Sequence, residues 1–310
     1  MKKEHAGMGK FTNWDQKVGW LAVALSTVVT CFWAFWGIVE NFHEGWYHTS
    51  LLANVGLMLL QYLSPMLVFM GVALVSITWP RAGAGLHLLV ALFAIWFFQS
   101  LTNTVTLLFI VPLVGLGALY WFGRPRPRKL AVSVAVALPL LTLIASGTAP
   151  AIRVAGRVDD GNGEARLVQG NGVSLIWAPQ GPGWPRSGDT WHEALRVCQY
   201  LGQDGQTVAA TPQHIWRLPT VEEAVRSMAR RGRNSGGVWD TQTASAAYRT
   251  TPDKESPLWD PHSQVIYWWT ATEIDAAQAY IIVYDGRVWP RSKQLAPAYL
   301  GFRCVKAPEL

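Results

Sequence analysis

The fold of the C-terminal half is decided at residues 215–223, which read Ile215-Trp216-Arg217-Leu218-Pro219-Thr220-Val221-Glu222-Glu223. Pro219 holds the residue before it in extended geometry, so a helix from upstream ends at this point. Thr220 can accept a hydrogen bond from the backbone N–H of Glu223, and the Glu223 carboxylate can reach back to Thr220, which makes a capping box. The stretch therefore predicts a corner where a loop ends and a helix begins.

A similar start signal lies upstream, where Thr190 is followed three residues later by Glu193. The apolar side chains after it recur at helical spacing, which predicts a helix to about Leu201 with Cys198 on its inward face. Together with the corner, this pattern predicts two helices early in the C-terminal half.

The remainder of this half favours strands. Residues 173–178 form a short apolar run, and residues 265–272 and 279–284 are rich in β-branched and aromatic side chains. The dipeptide Asp285-Gly286 is typical of a tight hairpin turn, and residues 300–305 are predicted as a final strand. Two helices followed by hairpins predict a compact α+β domain.

The N-terminal half has the composition of a membrane protein. The chain of 310 residues is 50 % hydrophobic and 15 % charged, and charge is nearly absent over residues 18–152. The first apolar run is too long for a signal peptide and lacks a small-residue cleavage site after it. Apolar runs of sufficient length therefore predict five membrane-spanning helices, at residues 18–39, 51–79, 84–101, 103–122 and 130–152.

The connecting loops alternate in positive charge. Four lysines precede the first span, residues 40–50 contain no Lys or Arg, Arg81 lies in the second turn, and residues 123–129 contain four cations. This pattern places the N-terminus in the cytoplasm and, with five spans, the C-terminal domain in the periplasm or outside the cell. It also accounts for the net charge of +6, so no nucleic-acid partner is predicted. The predicted segments are a cytoplasmic N-terminus (1–17), the membrane domain (18–152), a linker (153–171) and the extracytoplasmic domain (172–310).

The membrane half is predicted to be an anchor or a packing surface for other membrane proteins and lipid. Transporters carry ionisable residues at mid-depth, whereas the predicted spans contain His87 alone. Haem ligation by His87 is disfavoured, because His43 and His48 lie in the opposite loop. A transporter is kept as the third hypothesis.

The three cysteines differ in their surroundings. Cys31 lies inside the first span, and Cys198 and Cys304 lie in the soluble domain. Outside the cytoplasm two cysteines in one domain predict a disulfide bond.

Five motifs occur in order along the soluble half. It resembles the DUF1566 domain family, which is related to the C-terminal domain of the Legionella collagen-like adhesin. It is also similar to the formylglycine-generating and sulfatase-modifying enzymes, which share a C-type-lectin-like fold. The resemblance covers about residues 172–306, and the membrane half matches no family we can name. Its motifs are Trp191-His-Glu-Ala194 with Cys198, Trp216-Arg-Leu-Pro-Thr220 with Glu223, Tyr267-Trp-Trp-Thr-Ala-Thr272, the hairpin of Tyr280, Asp285-Gly286 and Val288, and Gly301-Phe-Arg-Cys-Val305.

The resemblance implies a lectin-like fold in which a helix cysteine pairs with one in the last strand, here Cys198 with Cys304. The related enzymes need a separate pair of copper-binding cysteines, which this sequence lacks, so a non-catalytic role is predicted. No cofactor is predicted. The calcium motif of true C-type lectins has no counterpart, and the carboxylates that could bind calcium instead are Asp240, Asp260 and Glu273.

A ligand or partner surface is predicted from aromatic and charged residues of the soluble half, with core packing and a corner-holding role as the alternatives. The function predicted is a non-catalytic membrane protein that presents a lectin-like module, as a subunit of a membrane complex or a receptor for an envelope protein or glycan. A formylglycine-generating-type enzyme is the alternative. The predicted surface residues are Trp239, Trp259, Trp269, Trp289, Arg217 and Glu222.

Overall fold

The computed structural model describes residues 13–99 and 104–308. Among these, residues 13–45 and 52–152 form a helical unit, and residues 46–51 and 153–308 form a C-terminal unit. Residues 1–12, with three of the N-terminal lysines, and residues 100–103, where the third and fourth predicted spans meet, lie outside the described residues.

The helical unit is built from apolar helices, as predicted. Within the described residues, α1, α4 and α6 are each long and apolar enough to cross a membrane, and α2 with α3 makes a fourth if this bent pair is one span. Helix α5 has a shorter apolar stretch, Leu107–Phe122, so the fifth span stays a prediction. The helices are α1 (Asn13–His43), α2 (Leu51–Leu57), α3 (Ser64–Thr78), α4 (Pro80–Phe98), α5 (Thr104–Phe122) and α6 (Arg128–Ala155), with a π-helical turn at Met58–Tyr62.

Two prolines begin helices in the helical unit. The second predicted span is broken at Leu63, and its two parts are bent by 62°. Pro65 lies directly after this bend, in the first turn of α3, where a missing N–H costs nothing. Pro80 likewise begins α4, so α3 and α4 are separate helices.

The C-terminal unit is an α+β structure with four sheets. The largest has the strand order β10-β7-β8-β9, and a second sheet has the order β1-β2-β11. Hairpins β3-β4 and β5-β6 complete the unit. Its elements are β1 (Arg166–Gly170), β2 (Val173–Trp177), α7 (Trp191–Tyr200), α8 (Val221–Ser227), β3 (Ala229–Arg230), β4 (Arg233–Asn234), β5 (Val238–Asp240), β6 (Ser245–Ala247), β7 (Tyr267–Glu273), β8 (Gln278–Val283), β9 (Val288–Ser292), β10 (Leu300–Gly301) and β11 (Val305–Lys306).

Three segments differ from the prediction. The linker at 153–171 contains the end of α6 and all of β1, which pairs with β2. The stretch 236–261, which lies outside the predicted strands, contains the β5-β6 hairpin. The final strand at 300–305 is two short strands in different sheets, because β10 pairs with β7 whereas β11 pairs with β2.

The four-stranded sheet divides two hydrophobic cores. Trp268 and Ile282 form a cross-strand pair whose side chains pack into the core beneath α8. The next pair, Trp269 and Ile281, packs into the core that contains α7 and the two cysteines. Alternation along each strand thus sends neighbouring residues to opposite cores.

The predicted corner is confirmed. Thr220 Oγ1 accepts from Glu223 N at 3.2 Å, and the Glu223 carboxylate accepts from Thr220 N at 2.8 Å. At α7 the cap is half formed, since Thr190 accepts from Glu193 N while the Glu193 carboxylate binds Arg196.

The corner also joins separate strands. Arg217 exchanges two backbone hydrogen bonds with Val305, of 2.9 and 2.8 Å, and Ala271 N donates to Pro219 O at 2.7 Å. The chain before α8 is thereby attached to both β11 and β7.

Candidate functional site

The predicted disulfide is present. Cys198 of α7 is bonded to Cys304, which lies between β10 and β11, and both residues are fully buried. The bond closes a sequence separation of 106 residues. These cysteines therefore hold the fold together and carry no accessible thiol.

The four predicted surface tryptophans do not form one surface. Trp259 and Trp269 are buried, and Trp259 stacks on Trp268 with ring centroids 3.8 Å apart. Trp239 is partly buried against Tyr280. Trp289 is 36 % exposed, with the Arg287 guanidinium 5.0 Å from its ring centroid. Trp259 and Trp269 therefore belong to the hydrophobic core, which was the alternative to a ligand surface. Large aromatic side chains contribute most to stability when they are buried.

The charged residues of the corner are paired within it. Arg217 binds the Glu223 carboxylate through two hydrogen bonds, of 2.7 and 2.6 Å. Burial alone would raise the pKa of Glu223, but the hydrogen bonds from Arg217 and Thr220 lower it overall. Glu222 pairs with Arg226 one helical turn on, at 2.7 Å. Arg217 and Glu222 thus stabilise the start of α8.

The three carboxylates considered for calcium have separate partners. Asp240 accepts from Gln242 N and Thr243 Oγ1 in the β5-β6 turn, at 2.8 Å each. Glu273 accepts from Lys293 Nζ at 2.5 Å. Within residues 13–99 and 104–308 no group of three His, Cys, Asp or Glu side chains could hold a metal ion.

A polar cavity of about 360 Å³ in the C-terminal unit is the candidate functional site. Its volume is within the range of pockets that hold small ligands. Its walls come from the chain between β2 and α7, the chain between β6 and β7, and the short segment 46–51. We call it the polar pocket; it is lined by Tyr47, His48, Thr49, Arg186, Asp260, His262, Ser263 and Gln264.

Hydrogen bonds hold four side chains of the polar pocket before any ligand enters. Gln264 Nε2 donates to the Tyr47 hydroxyl at 2.8 Å. Arg186 donates to Gln180 Oε1 at 2.8 Å, and Gln180 Nε2 donates to Asp260 Oδ2 at 3.3 Å. A polar chain therefore runs from an exposed guanidinium to a buried carboxylate.

Beneath the pocket lies a buried lysine. Lys254 is 1 % exposed, and its Nζ donates to the backbone carbonyl of Ser263. The pKa of Lys254 is lowered to about 7, first by burial and then by Arg157, while Asp260 and Asp253 oppose the lowering. The lysine thus braces the loop that carries Asp260 and Ser263.

A buried arginine fastens the two long loops together. Arg303 donates to Ala178 O at 2.8 Å and to Leu258 O at 2.6 Å, carbonyls that lie in the two different loops. Its guanidinium lies 3.6 Å from the ring centroid of Trp184. The two loops are the chain between β2 and α7 and the chain between β6 and β7. Arg303, which lies between β10 and β11, holds both of them in position.

Sequence reasoning found one member of this site, Asp260, and assigned it to calcium. The others come from three distant stretches of the chain, and no local pattern joins them. The available signal was the long irregular loop that contains Trp259, since long loops in compact domains are often binding loops.

The polar pocket presents donors from Arg186 and Gln264 and an acceptor from Asp260. The hydroxyl of its one serine, Ser263, already accepts a hydrogen bond from Val265 N at 3.0 Å. The lining residues include no cysteine. The arrangement suits hydrogen bonding to a polar ligand better than nucleophilic chemistry.

No family model, curated protein or solved structure matches this chain.

Proposed function

We propose that this chain is a non-catalytic integral membrane protein that presents a lectin-like binding module outside the cytoplasm, as a receptor or an accessory subunit of a membrane complex. The polar pocket binds the ligand, and a saccharide of the cell envelope is the ligand class we favour. The observation that carries the proposal is the set of preordered donors and acceptors around one small cavity, held by Arg303 and Lys254.

The chemistry of the pocket supports a saccharide. Sugar hydroxyls donate and accept at once, so they pair with a site that offers both a guanidinium or amide donor and a carboxylate acceptor. Arg186 and Asp260 provide these groups at the two ends of one hydrogen-bonded chain. The rings of Tyr47 and His48 add flat faces against which a sugar can pack.

The lectin-like assignment is supported by the position of the disulfide. The resemblance implies a bond between the first helix and the chain end, and Cys198 and Cys304 occupy those positions. The same bond argues against the alternative of a formylglycine-generating-type oxidase, because it consumes both cysteines of the soluble half.

The location is supported by the charge of the loops. Residues 40–50 contain no Lys or Arg, whereas residues 123–129 contain four cations. Loops rich in Lys and Arg stay in the cytoplasm, so with the five predicted spans the C-terminal unit lies outside it.

Ligand binding is tested with full-length protein in mild detergent on an array of envelope saccharides, including peptidoglycan and lipopolysaccharide fragments. The pocket variant R186A/H262A/Q264A changes three exposed side chains and should lose binding. The control Q213A/H214A/R231A removes the same residue types from exposed positions elsewhere. Absence of saccharide binding, or equal binding by both variants, contradicts the proposal.

The location is tested with reporters fused after Leu310. A reporter active only outside the cytoplasm should give signal, and one active only inside should not. The opposite pattern would refute the odd number of spans.

A further inference from the structure

The turn between α5 and α6 carries a dense set of positive charges. Residues 123–129 read Gly-Arg-Pro-Arg-Pro-Arg-Lys and contain no acidic residue. We call these residues the basic turn; the last two, Arg128 and Lys129, are the first residues of α6. Membrane topology explains why such charges stay on one side, but it does not require the turn to have a fixed shape.

The basic turn is nevertheless fastened to the start of α1. Trp20 Nε1 and Gln16 Nε2 both donate to the backbone carbonyl of Arg126, at 2.9 and 3.0 Å. Arg124 N donates to the backbone carbonyl of Asp15 at 2.9 Å. Three hydrogen bonds therefore hold a seven-residue turn.

Two glycines bring the backbones into direct contact. A Cβ added at Gly19 of α1 would overlap the backbone of Pro125, and a Cβ added at Gly123 would overlap the backbone of Gly19. Any larger residue at either position would push the turn away. The basic turn is thus held in one place before a ligand arrives, which reduces the entropy lost on binding.

An open cavity of about 650 Å³ lies beside the fastened turn, lined by Gln16, Arg126, Pro127 and Arg128. Arg126, Arg128 and the adjacent Lys129 are exposed. One guanidinium group can donate two parallel hydrogen bonds to the oxygens of a phosphate. Two arginines around one cavity therefore suit a phosphate group.

The surroundings of the turn identify the source of the phosphate. Large apolar side chains are exposed on both sides of it, at Trp121 and Phe122 of α5 and at Leu130 of α6. A soluble phosphate compound would gain nothing from them, whereas the hydrocarbon chains of a lipid would cover them. We infer that the basic turn binds the phosphate of an anionic membrane phospholipid, whose chains lie along α5 and α6.

The test measures lipid binding by full-length protein with phosphatidylglycerol and with phosphatidylcholine, by native mass spectrometry and titration. The variant R126Q/R128Q/K129Q should bind phosphatidylglycerol on the order of a hundredfold more weakly, since each cation near an anionic lipid surface contributes about fivefold. The control R231Q/R233Q/R291Q removes three exposed cations from the C-terminal unit and should bind as the unchanged protein does. Phosphatidylcholine should bind weakly to the unchanged protein and to both variants.

Two further arms keep the inference falsifiable. If loss of three cations prevents insertion, R126K/R128K keeps the charge but loses paired hydrogen bonding, and it should bind phosphatidylglycerol severalfold more weakly. Inorganic phosphate at equal concentration should not displace the lipid. Displacement by phosphate would overturn the lipid assignment, and phosphatidylglycerol binding that neither basic-turn variant reduces would overturn the site.

Discussion

The two units differ in how far their tryptophan side chains are exposed. In the helical unit Trp96 is 69 % exposed, whereas in the C-terminal unit Trp268 is 1 % exposed and Trp269 is fully buried. An apolar exterior would be a liability in water, but a bilayer is itself an apolar solvent. The comparison teaches that exposure has meaning only with respect to the medium that each unit faces.

The two units also differ in the kind of polar side chain that they bury. In the described part of the helical unit, the buried polar side chains are Ser, Thr, Asn and His. The C-terminal unit also buries ionisable side chains, among them Asp253, Lys254, Glu255 and Arg303. Each of these four makes at least one hydrogen bond or ion pair, because an unpaired charge in an apolar interior costs a large amount of free energy.

The largest expected effect is on the disulfide of the C-terminal unit. In C198A/C304A the denatured chain regains the freedom of a loop of more than a hundred residues, so the free energy of unfolding should fall by about 4–5 kcal/mol. Chemical denaturation of the full chain in detergent, followed by tryptophan fluorescence, measures the change. C31A, in α1, serves as the control and should leave this transition in place; an unshifted transition in C198A/C304A would mean that the bond is dispensable.

The next largest effect is expected for a buried carboxylate. Asp253 binds Arg157 at 2.9 Å and Arg153 at 3.0 Å, and it also pairs with Arg230. Burial raises the pKa of Asp253, but Arg157 and Arg153 lower it overall, so the carboxylate is ionised. Asp253→Asn removes one partner of a buried ion network and should cost about 3–5 kcal/mol.

The same denaturation assay compares Asp253→Asn with Asp240→Asn, whose carboxylate lies in an exposed turn. The turn variant should lose much less stability. Equal losses would show that burial does not set the cost.

A third prediction concerns pH and Lys254. Its pKa is about 7 in the folded chain and near the ordinary value of 10.5 when unfolded. Between these values the unfolded state binds more protons, so stability should rise as the pH is raised. Denaturation midpoints measured from pH 7 to pH 9 should increase for the unchanged protein and stay flatter for Lys254→Met. Parallel curves for the two proteins would place the titration elsewhere.

The smallest effect is expected on the surface of α8. Glu222 and Arg226 form an exposed pair one turn apart, and such pairs contribute about 0.2–0.5 kcal/mol. Glu222→Gln should therefore shift the denaturation midpoint slightly, and added salt should reduce the difference. A loss comparable to that of Asp253→Asn would contradict the contrast between exposed and buried charge.

Features that depend on local sequence or on composition were predicted correctly. The cap formed by Thr220 and Glu223 needs residues three apart, and the disulfide needs two cysteines in one oxidised domain. The apolar runs likewise predicted the helices of the membrane half. In each case the responsible physics acts within a few residues or is a property of composition.

The pairing of the last strands and the positions of the long loops were not predicted. The run at 300–305 looks like one strand, but Leu300 pairs with Tyr267 while Val305 pairs with Trp177. The tryptophans proposed as a surface divide between core and exterior, because their burial depends on which sheet face each one occupies. The polar pocket depends on loops whose positions Arg303 sets through carbonyls far away in sequence.

The sequence by itself determined the two-part organisation, the capped helices and the cysteine pair, because hydrophobic length, capping and redox chemistry are readable locally. Tertiary structure alone decided which charges are buried, where the polar pocket lies and how firmly the basic turn is held. Those outcomes depend on contacts between residues far apart in the chain, and such contacts exist only once the backbone has been brought together.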